Sequence, residues 1–294
     1  TTDTFTVVLT AQPASDVILS ISSADTDEAS VAPSSVTFTT GNWNTAQTVT
    51  VTGVDESVVD GDQNSTITVA ILDAASDDSF DALADQTVSV TTTDNDVAGF
   101  TVAQTDGSTS VAETGTTDTF TVVLNAQPAS NVVLLISSSD TGEATVNSPL
   151  TFTNANWSTP QTVTVTGVDD NLVDGTITST VTITVDDASS DNDFDAVADQ
   201  TVSTTTTDND VAGFTVVESG GSTTVAETGT TDTFTLVLNA QPATDVVLTV
   251  TSSDTGEATV NSPLTFTSVN WSTPQTVTVT GVNDNIIDGT ITST

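Results

Sequence analysis

The segment 156–175, NWSTPQTVTVTGVDDNLVDG, returns at a constant interval: from Asn42 it reads NWNTAQTVTVTGVDESVVDG, and from Asn270 it reads NWSTPQTVTVTGVNDNIIDG. Trp43, Trp157 and Trp271 therefore stand 114 residues apart. A unit of that length is too long for a solenoid turn that needs neighbours to bury its apolar face. It is close to the size of a β-sandwich that folds on its own. The pattern divides most naturally after the DND triplets at 94–96 and 208–210, which predicts repeats at 1-96, 97-210 and 211-294. The middle repeat is whole, the first lacks its opening strand, and the third lacks its last strands.

Within the middle repeat the apolar residues alternate with polar ones, the period of a half-buried strand. Strands are predicted at 99–102 with 108–111 as a broken first strand, at 118–124, around Val132 to Ile136, at Leu150 with Phe152, and at 161–166, 176–185 and 200–206. In 176–185, Ile177, Val181, Ile183 and Val185 point one way and Thr178, Thr180, Thr182 and Thr184 the other. Threonine suits such an outer face, because its β-branch favours the pleat while its hydroxyl stays solvated. Seven short strands with no helical period predict an all-β chain of tandem immunoglobulin-like β-sandwich domains, about 114 residues per repeat. Trp157 has two readings, a core anchor or an exposed platform for stacking sugars; one large aromatic per repeat favours the core.

Composition removes several functions. Lys, Arg and His are absent while Asp and Glu total 40, for a formal net charge of -40. Nothing here neutralises a phosphate, so nucleic acid and anionic membrane surfaces are excluded as partners. Catalysis would have to use carboxylates and hydroxyls alone, and the chain is read as no enzyme. There is no Cys to cross-link the repeats. No apolar run reaches membrane-spanning length, so no membrane insertion is expected in this segment. So much unbalanced negative charge opposes compaction unless cations supply the missing sign.

Carboxylates recur at strand ends: Glu113, then Asp140 and Glu143, then Asp169, Asp170 and Asp174, then Asp208 and Asp210. The loops at one end of a sandwich converge, so these groups are expected to meet. Each close pair would then repel by roughly a few kcal/mol at an effective dielectric of about 20. A hard divalent cation removes that penalty, and oxygen-only donors select Ca2+ over zinc or copper. The plainer reading is that these are polar turns, where Asp is favoured on its own account. A second run, Asp191, Asp193, Asp195 and Asp199, has part of a calcium-loop spacing without its Gly and Glu, so a solvated loop is the favoured reading there. The first repeat keeps Asp77, Ser79, Asp81 and Asp85 there.

VAETGTTDTFTVVL from Val111, GVDDNLVDGTITSTVTITV from Gly167 and TTDND from Thr206 together resemble the Calx-beta module of sodium–calcium exchangers and of large bacterial surface proteins. The resemblance covers the whole repeat. It implies that Glu113, Asp140, Asp169, Asp170, Asp208 and Asp210 are calcium ligands near the junction with the next domain, with Asp174 where the family usually has Glu. The matching positions are Asp55, Glu56, Asp60, Asp94 and Asp96 in the first repeat, and Glu227, Asp254, Asp284 and Asp288 in the third. There Asn283 replaces Asp169.

The expected function is a calcium-stabilised structural repeat of an extracellular fibre or cell-surface stalk; the alternative is an adhesin for carbohydrate or a cell-surface partner. The expected partners are copies of itself, in a filament or tandem polymer, because the first and third repeats are short of strands that further copies or an inserted neighbouring strand would complete. Asn64, Asn156 and Asn270 lie in N-x-S/T sequons, and glycans on Asn or Thr are a further expectation.

Overall fold

The computed structural model describes residues 1–287 and 289–294. In the middle repeat the alternating segments form two facing sheets. One has the order Thr109–Ala112, Gln200–Thr207, Ile177–Val185, Val132–Ser138, Leu150–Phe152; the other has Ala144–Val146, Gln161–Gly167, Thr117–Leu124, Phe100–Gln104. The fold is an all-β, immunoglobulin-like sandwich. The first strand is broken as its sequence suggests. Phe100–Gln104 lies in one sheet and Thr109–Ala112 in the other, and the change of sheet is made at Asp106 and Gly107, both at positive φ. Thr109–Ala112 runs parallel to Gln200–Thr207, whereas the other pairings in this repeat are antiparallel.

Ala144–Val146 was not expected from the alternation. It is three residues long with only Ala144 buried, too short to show a period. Its place is set by pairing with Gln161–Gly167.

The inward faces close over a cluster of buried residues that includes Phe100, Phe120, Leu134, Phe152, Val163, Ile183 and Phe194. Trp157 is partly buried against this cluster, as a core anchor and not a free platform. Outside, threonines face one another across the strands, Thr117 with Thr166, Thr119 with Thr164 and Thr121 with Thr162. The first repeat has its own cluster around Val17, Phe38, Val49 and Ile67. The third has a smaller one around Leu236, Phe266 and Val277, and there Phe214, Val216 and Val217 remain exposed.

The loop after Ile177–Val185 is tied to the sandwich by hydrogen bonds. Asp191 is buried; its carboxylate accepts from the Ser130 N–H at 2.6 Å and the Asp193 N–H at 3.2 Å, which seats Phe194 in the core. Asp77 does the same in the first repeat. Hydrogen bonds from Ser79, Ser15 and Ala14 hold its pKa down, to about 2. Asp191→Ala leaves the Ser130 and Asp193 amides unpaired and is expected to destabilise the middle repeat by about 1–3 kcal/mol, read by denaturant melts. Calcium affinity is expected to stay unchanged in that variant.

Successive repeats touch through one small contact. The turn after Gln47–Gly53 ends in Val58–Val59, which pairs in parallel with Gln127–Pro128 of the next repeat. The Gln127 N–H donates to the Ser57 carbonyl at 2.7 Å, and Val59, 9% exposed, joins the middle repeat's core. The same contact recurs further along. Leu172 bridges in parallel to Gln241, and the Gln241 N–H donates to the Asn171 carbonyl at 2.6 Å.

Candidate metal centre

Three strand ends bring the carboxylates of the middle repeat together. Glu113 follows Thr109–Ala112, Glu143 precedes Ala144–Val146, and Asp170 and Asp174 lie in the turn between Gln161–Gly167 and Ile177–Val185. Asp210 comes from the tail after Gln200–Thr207. Among the described residues of this repeat, two groups have carboxylate oxygens within 4.8 Å of one another, Glu113 with Asp170 and Asp210, and Glu113 with Glu143 and Asp174. Glu113 belongs to both.

Asp208 builds the frame. Its Oδ2 accepts from the Asp174 N–H at 3.1 Å and the Gly175 N–H at 2.8 Å, and its Oδ1 accepts from the Asp210 N–H at 2.6 Å. The turn can present those amides because Gly175 takes a φ of 79°, a conformation open to glycine at little cost. The amides of Gly175 and Asp210 hold the Asp208 pKa below its ordinary value.

Other predicted ligands are used in the turns themselves. Asp170 Oδ1 accepts from the Leu172 N–H at 2.6 Å while the residue stays in its group. Asp140 Oδ1 accepts from the Gly142 N–H at 3.0 Å, and Asp169 Oδ1 accepts from the Asn209 side-chain amide at 2.8 Å. Asp140 and Asp169 lie in neither group.

The electrostatics run against the bare site. Glu113 is 1% exposed and Glu143 6%, although neither has a cationic side chain anywhere in the chain to pair with. Burial, then the charges of Asp174 and Glu113, push the Glu143 pKa up to about 7. Burial is also the main cause that raises Glu113, Asp174 and Asp210. Glu113 Oε2 accepts from the Asn209 N–H at 3.1 Å, but Glu113 Oε1, Glu143 Oε2 and Asp210 Oδ2 are buried with no hydrogen-bond partner. Buried carboxylate oxygens left without donors are costly. The three fall in two acidic groups that share Glu113, and such hard oxygen donors fit a divalent cation of the calcium type.

The first repeat gathers Glu28, Glu56 and Asp60, again within 4.8 Å. Asp94 takes the part of Asp208, accepting from Asp60, Gly61 and Asp96 amides. Asp55 and Asp96 lie outside the group. In the third repeat Glu227, Asp254 and Asp284 form no such group among the described residues; Asp254 and Asp284 accept from the Gly256 and Ile286 amides. Asp288 lies outside the described residues.

Glu143 and its counterpart Glu28 are the site residues that the ligand set read from sequence passed over. Their signal is Glu–Ala at the head of a short strand whose alanine is fully buried in both repeats. Nothing in the spacing shows that this glutamate turns inward.

No protein-family model matches the chain, and no curated protein sequence matches it. Among solved structures it is similar to domains 4 and 5 of the S-layer protein SbsC, at 20% identity and a TM-score of 0.32, over 64% of this chain and 70% of that one. The longer structure of SbsC domains 4-9 matches at 18% identity and a TM-score of 0.32, over 90% of this chain; the chain spans only 35% of its length. The CBD12 structure from CALX1.2 matches at 12% identity and a TM-score of 0.26, over 62% of this chain and 73% of that one. At these scores the likeness carries no conclusion about function.

Proposed function

We propose that this chain is a calcium-stabilised structural repeat of an extracellular fibre or cell-surface stalk, built from Calx-beta-like units. The observation that carries the reading is the set of three buried, unpartnered carboxylate oxygens on Glu113, Glu143 and Asp210, in a chain without one basic side chain. When bound, a divalent cation supplies the positive charge that the polypeptide lacks. Glu113 with Asp170 and Asp210, and Glu113 with Glu143 and Asp174, are the two groups that would hold such cations; Asp208 positions the turn and the tail from which three of these residues come. Further support is architectural. The turn that carries Asp170 and Asp174 also carries Leu172, which bridges to the next repeat, so ordering the site orders the junction.

The test is calorimetric titration of the chain with calcium and with magnesium. Glu113→Gln and Glu143→Gln each remove one charge from the densest part of the site. Each is expected to weaken calcium binding at the middle repeat by more than about tenfold. Asp169→Asn is expected to change it little, because that carboxylate is engaged with Asn209. Unchanged affinity in both glutamate variants would overturn the assignment.

Glycans remain part of the reading at one position more than the others. Asn64 is exposed on a strand. Asn156 and Asn270 are instead turn staples, whose Oδ1 accepts from the Thr153 and Thr267 N–H groups at 2.6 Å.

A further inference from the structure

The turn 55–62 of the first repeat holds four carboxylates, Asp55, Glu56, Asp60 and Asp62, and between them an apolar pair, Val58 and Val59. Valines in so polar a turn would ordinarily lie in water. Val59 is instead buried, and the core that it joins is not its own. Among the described residues, the first repeat's cluster, with Val17, Phe38, Val49 and Ile67, does not include Val59, whereas the middle repeat's cluster counts it with Phe100, Ala126 and Phe194. The middle sandwich is therefore finished by a side chain of the repeat before it.

The backbone seats that side chain. Val58–Val59 runs parallel to Gln127–Pro128, and the Gln127 N–H donates to the Ser57 carbonyl at 2.7 Å. Ala126 and Pro128 on the receiving turn are themselves buried. The next junction has the same polarity, with Leu172 of the acidic turn bridged to Gln241.

Both ends of the turn are tied to the first sandwich. The Val54 N–H donates to the Glu28 carbonyl at 2.9 Å. At the other end Asp94 Oδ2 accepts from the Asp60 N–H at 3.2 Å and the Gly61 N–H at 2.9 Å. Asp94 Oδ1 accepts from the Asp96 N–H at 2.7 Å, which fixes the start of the covalent link to the middle repeat beside the turn. Val59 is thus held at its post by the first sandwich and buried there by the second, so its placement needs both of them folded.

We propose that Val59 couples the folding of the two repeats, making the cooperative unit a sandwich together with its predecessor and not the 114-residue sequence repeat alone. Arrays in which each unit touches only its neighbours draw part of their stability from such interfaces. Coupling is reciprocal, so the contact supports each sandwich by the same factor while the other is folded. The first repeat then gains stability from a residue that is no part of its own core. Nothing in this inference rests on the cation reading.

Hydrogen exchange of the 294-residue chain in excess calcium tests it, and the outcome reads the same whether or not the metal binds. Gln63–Ile71 and Ile177–Val185 are interior strands of the first and middle sandwiches with different sequences, so their peptides are told apart. Val59→Ser is expected to lower the protection of both segments by about tenfold or more, and by the same factor in each. Val59→Ala is expected to give a smaller loss, again in both, and Val59→Ile to stay within about threefold of the parent. Unchanged protection in both segments of the Val59→Ser chain overturns the proposal. A loss confined to Gln63–Ile71 overturns it by assigning Val59 to its own sandwich, and a loss confined to Ile177–Val185 overturns it by showing that the turn docks without the sandwich that carries it.

Discussion

Adding calcium to the metal-free chain at pH 8 is expected to raise the melting midpoint of the middle repeat by on the order of 10 °C and to reverse its pH dependence. A ligand that binds only the folded form stabilises it by about 2.7 kcal/mol at about 100 times its dissociation constant, and each kcal/mol moves the midpoint of a domain of this size by several degrees. The pH dependence follows from Glu143. Its folded pKa is raised from 4.5 to about 7, so without metal its contribution is fully present below 4.5 and is lost as pH rises through 7. Asp208 acts oppositely. Its pKa is lowered from 3.8, and its contribution fades only as the solution becomes more acidic than that. The metal-free protein is therefore expected to melt highest near pH 5 and lower at pH 8. With calcium the order inverts, because the ligands must be deprotonated to bind. Each repeat has a single tryptophan, so a chain with Trp43→Phe and Trp271→Phe reports the middle repeat alone through Trp157. Superimposable curves with and without chelator at pH 8 would remove the metal from this account.

Gly167→Ala is expected to be among the most damaging single changes in the middle repeat, at about 3 kcal/mol or more. The added methyl group has no space. It overlaps the Ala112 carbonyl, and the strand Thr109–Ala112 has to lift, drawing Val111 out of the core and Glu113 away from both carboxylate groups. The loss should therefore appear twice in one variant, as a lower Trp157 melt and as weaker calcium binding. A Gly167→Ala chain that melts and binds calcium like the parent would mean that this glycine makes no room for the strand laid across it.

Much of this architecture was legible in the amino acids, and the illegible parts share a cause. Ile177–Val185 alternates cleanly enough that both its faces follow from period alone, with its start read one residue early at Thr176, and Asp208 was picked out by its place at a strand end. What local pattern does not encode is which sheet a short segment joins. Ala144–Val146 belongs opposite Gln161–Gly167, not beside its sequence neighbour Leu150–Phe152, and that choice is made by long-range pairing. Glu143 was counted among the converging carboxylates but left out of the ligand set for the same reason: its burial depends on where Ala144–Val146 is taken. The loop at Asp191 differs from its reading as a solvated loop: Asp191 is buried with its carboxylate on backbone amides, and the feature that defines the loop is the buried Phe194 between the aspartates.

The contact between one repeat and the next has a mechanical consequence. Load applied along the chain reaches each junction through a covalent linker and, beside it, a parallel bridge such as Val58–Val59 on Gln127–Pro128. That bridge is two residues long, whereas Ile177–Val185 and Gln200–Thr207 are held together over seven paired positions. Tension is therefore relieved at the junctions first, which open and let the repeats swing apart while each sandwich stays intact. Under a pull the chain is expected to lengthen at its junctions before any sandwich opens.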